Sequence, residues 1–171
     1  MSKVFIGIDP GVNGGMAAIA PNSEAYDYEL EFVYLKSLST LSHVGIWNWL
    51  REKFHLYGKP YCCIEKVTGY VKGSKAVTSR IFQLGRSYGT LIAYLELLQS
   101  EVNNRFQYEE IAAVTWEKEV GASRKGLTYE QRKKWLKEYA KELYPSYSSQ
   151  ITKATCDALL LAHLCKRRKG S

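Results

Sequence analysis

The chain has 171 residues, 46% of them hydrophobic and 24% charged, with a formal net charge of +7. That length suits one domain with a buried core, 1–171, and no apolar run approaches the roughly 20 residues that span a bilayer. The four cysteines, Cys62, Cys63, Cys156 and Cys165, form no CxxC pair and no zinc spacing, so neither a disulfide framework nor a zinc module is expected.

The chain opens with MSKVFIGID, a strand pattern with no signal-peptide h-region, which predicts a cytoplasmic protein. Residues 3–9 read as a strand that ends on Asp9, and the turn PGVNGG leads into a second strand at 15–20. Three readings fit a carboxylate followed at once by so permissive a backbone: a phosphate loop, a metal-holding acid at a strand end, or a plain turn. The alternating stretch 29–36 adds a third strand. Val44, Trp47, Leu50 and Phe54 recur at helical spacing until Gly58 and Pro60. The apolar run YCCIEKV at 61–67 predicts a buried strand that delivers Glu65.

A Gly- and Lys-containing loop follows, and then a helix over 77–99 with Ile81, Leu84, Tyr88, Leu91, Ile92 and Leu95 along one stripe. Gly85 and Gly89 lie four apart on it and suggest the close approach of another backbone. EEIAAVTW at 109–116 reads as a fifth strand. Thr128 and Gln131 make a capping-box signature for a basic helix that turns Leu136, Tyr139 and Leu143 inward and stops at Pro145. Last comes ATCDALLLAHLCK, an apolar helix with a single acid, Asp157. The order of elements predicts an α/β domain with a mixed five-stranded sheet flanked by helices.

Charge is unevenly distributed. Residues 1–123 carry 12 Lys/Arg against 13 Asp/Glu, and residues 124–171 carry 12 against 4, including the basic tail at 166–171. Such a field favours a polyanion, nucleic acid before membrane, although a solubilising face would look the same.

Asp9, Glu65 and Asp157 each have an ordinary structural reading, but Asp157 has little polar helix face around it. A lone buried carboxylate is costly unless it is paired or bound to metal. Two strand ends and a helix packed across them can gather three acids, and such a cluster needs a cation. All-oxygen ligation suits Mg²⁺ or Mn²⁺ rather than zinc.

Taken in order, GIDPGVNGG, CCIEKV, SRIFQLGRSYGTLIAYLE, TWEKEVG and KATCDALLLAHL resemble the RuvC family of Holliday-junction resolvases, in its phage-type branch. The resemblance covers nearly the whole chain. It implies an RNase H-like fold, a homodimer, and symmetric metal-dependent cutting of four-way DNA junctions. It also implies two Mg²⁺ ions, with Mn²⁺ able to substitute. Asp9 would bridge both ions, Glu65 would help hold one and Asp157 the other. The family usually has a further Asp or His one helical turn before the last acid, where this chain has Ala154. The phosphate-loop alternative, an ATP site like those of sugar kinases and actin, needs two lobes and a longer chain, and no GxxxxGK[ST] is present.

For DNA, Tyr70 lies between Lys66 and Lys72, with Lys75 and Arg80 beyond, an aromatic among cations suited to base stacking and phosphate neutralisation. Lys118, Arg124 and Lys125 fall where the family places a positive residue near the scissile phosphate, and Lys153 flanks Ala154. The basic helix over 128–143 reads as a solvated face. A second class stays open, a junction- or branched-DNA-binding protein of the same fold with weak or lost catalysis, and Ala154 is the residue in its favour.

Overall fold

A computed structural model describes residues 3–21, 31–56, 59–67, 78–101, 106–122 and 126–170. Five strands, β1 (Lys3–Asp9), β2 (Gly15–Pro21), β3 (Glu31–Ser37), β4 (Lys59–Lys66) and β5 (Gln107–Ala112), form one sheet in the order β3-β2-β1-β4-β5. β1, β2 and β3 pair antiparallel, whereas β4 lies parallel to both β1 and β5. The mixed sheet and its flanking helices agree with the sequence reading.

The central strand is apolar throughout because it is covered on both faces. Successive side chains of a strand point to opposite faces. Val4, Ile6 and Ile8 join a core with α1 (His43–Leu56) and the C-terminal half of α2 (Thr78–Glu101). Phe5 joins the opposite core, beneath α5 (Cys156–Lys169) and α4 (Tyr129–Leu143). On β4 the same alternation gives Cys62 and Ile64 to the first core and Tyr61 and Cys63 to the second. The odd positions thus face α5. Asp9 and Glu65 share that parity, and the register Ile8↔Ile64 sets them side by side at the ends of neighbouring parallel strands.

α5 lies directly on the centre of the sheet, and Gly7 makes this possible. A Cβ at Gly7 would stand 1.9 Å from the Ala158 carbonyl oxygen and 2.3 Å from the Ala162 nitrogen. Gly15 plays the same part for the turn ahead of α5, since a Cβ there would meet the Ala154 oxygen at 2.4 Å.

Several elements depart from expectation. The strand predicted over 109–116 ends at Ala112, and Ala113–Glu119 forms α3. Ala113, Trp116 and Val120 recur at helical spacing, and this periodicity outweighs the β-branched residues between them, burying Trp116 and Val120. In α1 the inward face is Ile46, Trp49, Leu50 and Phe54, while Val44 is 67% exposed. α2 buries Leu91, Leu95 and Leu98, but its earlier turns leave the sheet, with Ile81 43% and Phe82 71% exposed. Among the described residues no atom beyond the helix's own backbone lies within 4 Å of a Cβ placed at Gly85 or Gly89. The capping box is present as expected: Gln131 N donates to Thr128 Oγ1 at 3.3 Å, and Thr128 N donates to Gln131 Oε1 at 2.8 Å. Leu136 is buried, with Tyr139 and Leu143 half-buried beside it.

Candidate functional site

The three acids predicted from the sequence lie on one cleft of about 1090 Å³, at the C-terminal ends of β1 and β4. The 10–14 turn forms one wall, α4 and the start of α5 form another, and Leu84 of α2 borders it. Asp9 is fixed by its own turn, because Gly11 N donates to Asp9 Oδ1 at 2.9 Å. That bond accounts for the glycine-rich turn: it is an Asx turn that orients a strand-end carboxylate. Glu65 is fixed by Trp116, whose Nε1 donates to Glu65 Oε2 at 2.7 Å. Asp157 sits in the first turn of α5, where the helix dipole favours negative charge, and is buried.

Burial and mutual repulsion govern the protonation of the cluster. Burial raises the Asp9 pKa and the charge of Asp157 raises it further, against the opposing pull of Lys133 and the Gly11 hydrogen bond. Glu65 is pushed up to about 7, first by burial and next by Asp9, while the Trp116 hydrogen bond holds it back. Cys156, whose Sγ donates to Asp157 Oδ1 at 3.2 Å, is pushed up to about 12 by burial and by that carboxylate.

A lysine reaches into this cluster. Lys133 Nζ, from α4, is hydrogen-bonded and ion-paired to Asp157 Oδ2. Burial works against its charge, but the Asp157 contact prevails and raises its pKa. Next to it, Arg132 pairs with buried Glu117 at 3.4 Å, and the buried Arg132 Nε has no hydrogen-bond partner among the described residues. Tyr129, at the start of the same helix, holds the Arg132 guanidinium 5.3 Å and the Lys133 ammonium 5.9 Å from its ring centroid. Sequence reasoning took these lysines for a solvated face. A signal was present, since Tyr129, Arg132, Lys133 and Leu136 are spaced at three and four residues and share one side of the helix.

The proposed DNA contacts are only partly gathered. Lys153 lines the cleft beside Ala154 and pairs with Glu130 at 3.3 Å on the exposed rim. Arg80 is exposed on α2, one helical turn before Leu84. Lys118 is exposed on α3 and is not among the cleft-lining residues. It lies on the seven-residue helix that replaces the expected strand end and buries Trp116 and Glu117. Tyr70, Lys72, Lys75, Arg124 and Lys125 lie outside the described residues.

The donor chemistry fits a hard divalent cation: three carboxylates, two of them with pKa values raised by burial and then by a neighbouring acid, a cost that a cation would relieve. The spacing is open rather than closed. Among the described residues no three Asp, Glu, His or Cys side chains form a ready metal cage, and Asp157 has turned to Lys133. The position one turn before Asp157, Ala154, offers no donor side chain.

No model of a known protein family matches the chain. No curated protein matches it in sequence. In three dimensions it is similar to the RuvC of T. thermophilus, solved in complex with a Holliday junction substrate, at 12% identity and a TM-score of 0.54. The match covers 98% of this chain and 96% of that one. A likeness at this identity speaks to architecture alone, and the sheet and helices described above have the RNase H-like fold of RuvC.

Proposed function

We propose that this chain is a structure-selective DNA endonuclease that resolves four-way junctions by symmetric, metal-dependent phosphodiester hydrolysis, as a homodimer of the phage type in the cytoplasm. The observation that carries this reading is the convergence of Asp9, Glu65 and Asp157, from two strands and a helix, on one cleft of a RuvC-like fold. Binding alone gives no reason to aim three acids at an anionic ligand. Mg²⁺, or Mn²⁺ in its place, would be held by these carboxylates and would supply Lewis acidity and charge neutralisation at the phosphate. Arg132 and Lys153 stand in the cleft to meet phosphate oxygens. By sequence, Tyr70 with Lys72, Lys75 and Arg80 would stack on bases and neutralise phosphates at the opened crossover, and Lys118, Arg124 and Lys125 would lie toward the scissile phosphate.

The deciding experiment is cleavage of a synthetic four-way junction in Mg²⁺, with linear duplex of the same sequence as control. Paired incisions on the junction are expected, and Asp9→Asn should abolish them while leaving junction binding equal or tighter. Full cleavage by Asp9→Asn would refute the assignment. Ala154 and the Lys133–Asp157 pair favour a second reading, a junction-binding protein with weak or no catalysis. Tight junction binding by the wild-type chain without incision in either metal would select it.

A further inference from the structure

The resemblance implies two cations, yet one positive charge is already built into this centre. The Lys133 ammonium sits on Asp157, with the lysine side chain 16% and the aspartate side chain 4% exposed. This is not a chance contact of a long surface side chain. α4 is anchored by its capping box at one end and by buried Leu136 and Ala140 in the next turns, so the backbone that carries Lys133 is set firmly against α5.

Charge counting then separates two arrangements. Asp9, Glu65 and Asp157, all ionised, bring three negative charges, and Lys133 returns one. A single divalent cation neutralises the remainder. A second ion would leave an excess of positive charge, would have to displace Lys133 from Asp157, and would find no donor side chain at Ala154. We infer that this chain holds one divalent cation, on Asp9 and Glu65, and that Lys133, through its pair with Asp157, supplies the second positive charge of the centre. A lysine suits that part, since its ammonium is a compact point charge on a flexible stem. The inference rests on reading the cluster as a nuclease centre, but it makes a claim about metal count that can be read without any cleavage.

Mn²⁺ titrated into the purified wild-type chain, with the free ion followed by electron paramagnetic resonance, should saturate at one ion per chain. Two ions of similar affinity, or none, in the wild-type chain overturns the inference without recourse to any variant. Lys133→Met keeps the stem and removes the charge. It should bind Mn²⁺ tighter by about tenfold or more, as expected when a unit positive charge leaves a partly buried site. It should also gain a weaker second ion on the freed Asp157. Its junction cleavage at saturating Mn²⁺ should nevertheless fall, and Lys133→Arg should restore part of it. A Lys133→Met chain with unchanged Mn²⁺ count and affinity shows a merely structural lysine and overturns the inference, as does tighter binding accompanied by faster cleavage. If the wild-type chain cuts no junction yet binds one Mn²⁺, the nuclease reading fails while the metal count stands.

Discussion

Gly7→Ala tests whether the approach of α5 to β1 holds the site together. The added Cβ would lie 1.9 Å from the Ala158 oxygen, and Cβ atoms do not come closer than 3.0 Å to such atoms, so a gap of about 1.1 Å must open. Both obstructing atoms, Ala158 O and Ala162 N, belong to the backbone of α5, so no side-chain rotation can relieve the clash. Overpacking costs about 1–3 kcal/mol, and a rigid obstruction places this case near the upper end. For a chain of this size that lowers the melting temperature by roughly 6–12 °C. Asp157 precedes Ala158 and would move with it, away from Asp9. A displacement of about 1 Å at a reacting centre costs on the order of 10²-fold in rate. Thermal melting by circular dichroism and junction cleavage well below the melting point read the two effects separately. Gly45→Ala, at a helical glycine of α1 where an added Cβ would meet only side-chain atoms, the nearest Leu41 Cδ2 at 3.3 Å, is the control and should stay within about 1 kcal/mol of wild type. A Gly7→Ala protein that melts within about 2 °C of wild type would show that α5 does not bear on Gly7 as described.

The raised pKa of Glu65 makes stability depend on pH. Between pH 4.5 and about 7 the unfolded chain has released this proton while the folded one retains it, so stability falls as pH rises through that window and levels off above it. The shift corresponds to about 3 kcal/mol, and melts of metal-free protein should show a decline that Glu65→Gln flattens; equal slopes in the two proteins would contradict the buried position of Glu65. The homodimer reading places the exposed first turns of α2, with Ile81 and Phe82, against a second copy. Gly89→Leu has room to fold in the single chain, so it should retain the melting temperature of the monomer fold yet sediment as 19.5 kDa rather than twice that mass. A Gly89→Leu protein that still sediments as a dimer would place the interface elsewhere.

The parts of the fold legible in the sequence were those written in strong periodicity. The continuous apolar runs of β1 and β4 announced strands covered on both sides, and the same parity that buried Phe5 and Cys63 put Asp9 and Glu65 on one face. Asp157 stood out as one acid in an apolar helix. What stayed hidden depends on the fold. Val114 and Thr115 favour a strand locally, and only the burial of Trp116 against Glu65 and of Val120 in the core makes 113–119 helical. The stripe of α1 held at Trp47, Leu50 and Phe54 but not at Val44, and it missed Lys53, which is buried with its ammonium 3.8 Å above the Tyr34 ring. Lys133 could not be found from the acids, because its partner lies 24 residues further on and in another helix.

The same dependence on the fold changes what the net charge means. The C-terminal segment holds the positive excess, but α5 divides it between two ends of the molecule. Nine to twelve helical residues, about 14–18 Å at the usual rise, separate Asp157 in the first turn from the basic cluster in the last. That distal cluster is largely matched: Arg168 pairs with Glu109 at 2.6 Å and with Glu119, Lys166 with Glu31 at 2.7 Å, and Arg167 donates to the Glu119 carbonyl at 3.2 Å. At this end the charges tie the helix terminus to β3, β5 and α3, and they lie beyond a Debye length of the acids at physiological salt. At the other end Arg132, Lys133 and Lys153 face the cleft, each beside an acid: Glu117, Asp157 and Glu130. These three pairs cancel, so before any cation arrives Asp9 and Glu65 leave the cleft negative. A divalent cation on Asp9 and Glu65 is what would remove that repulsion toward a phosphate, so on this reading metal binding and DNA binding in the cleft are coupled by charge.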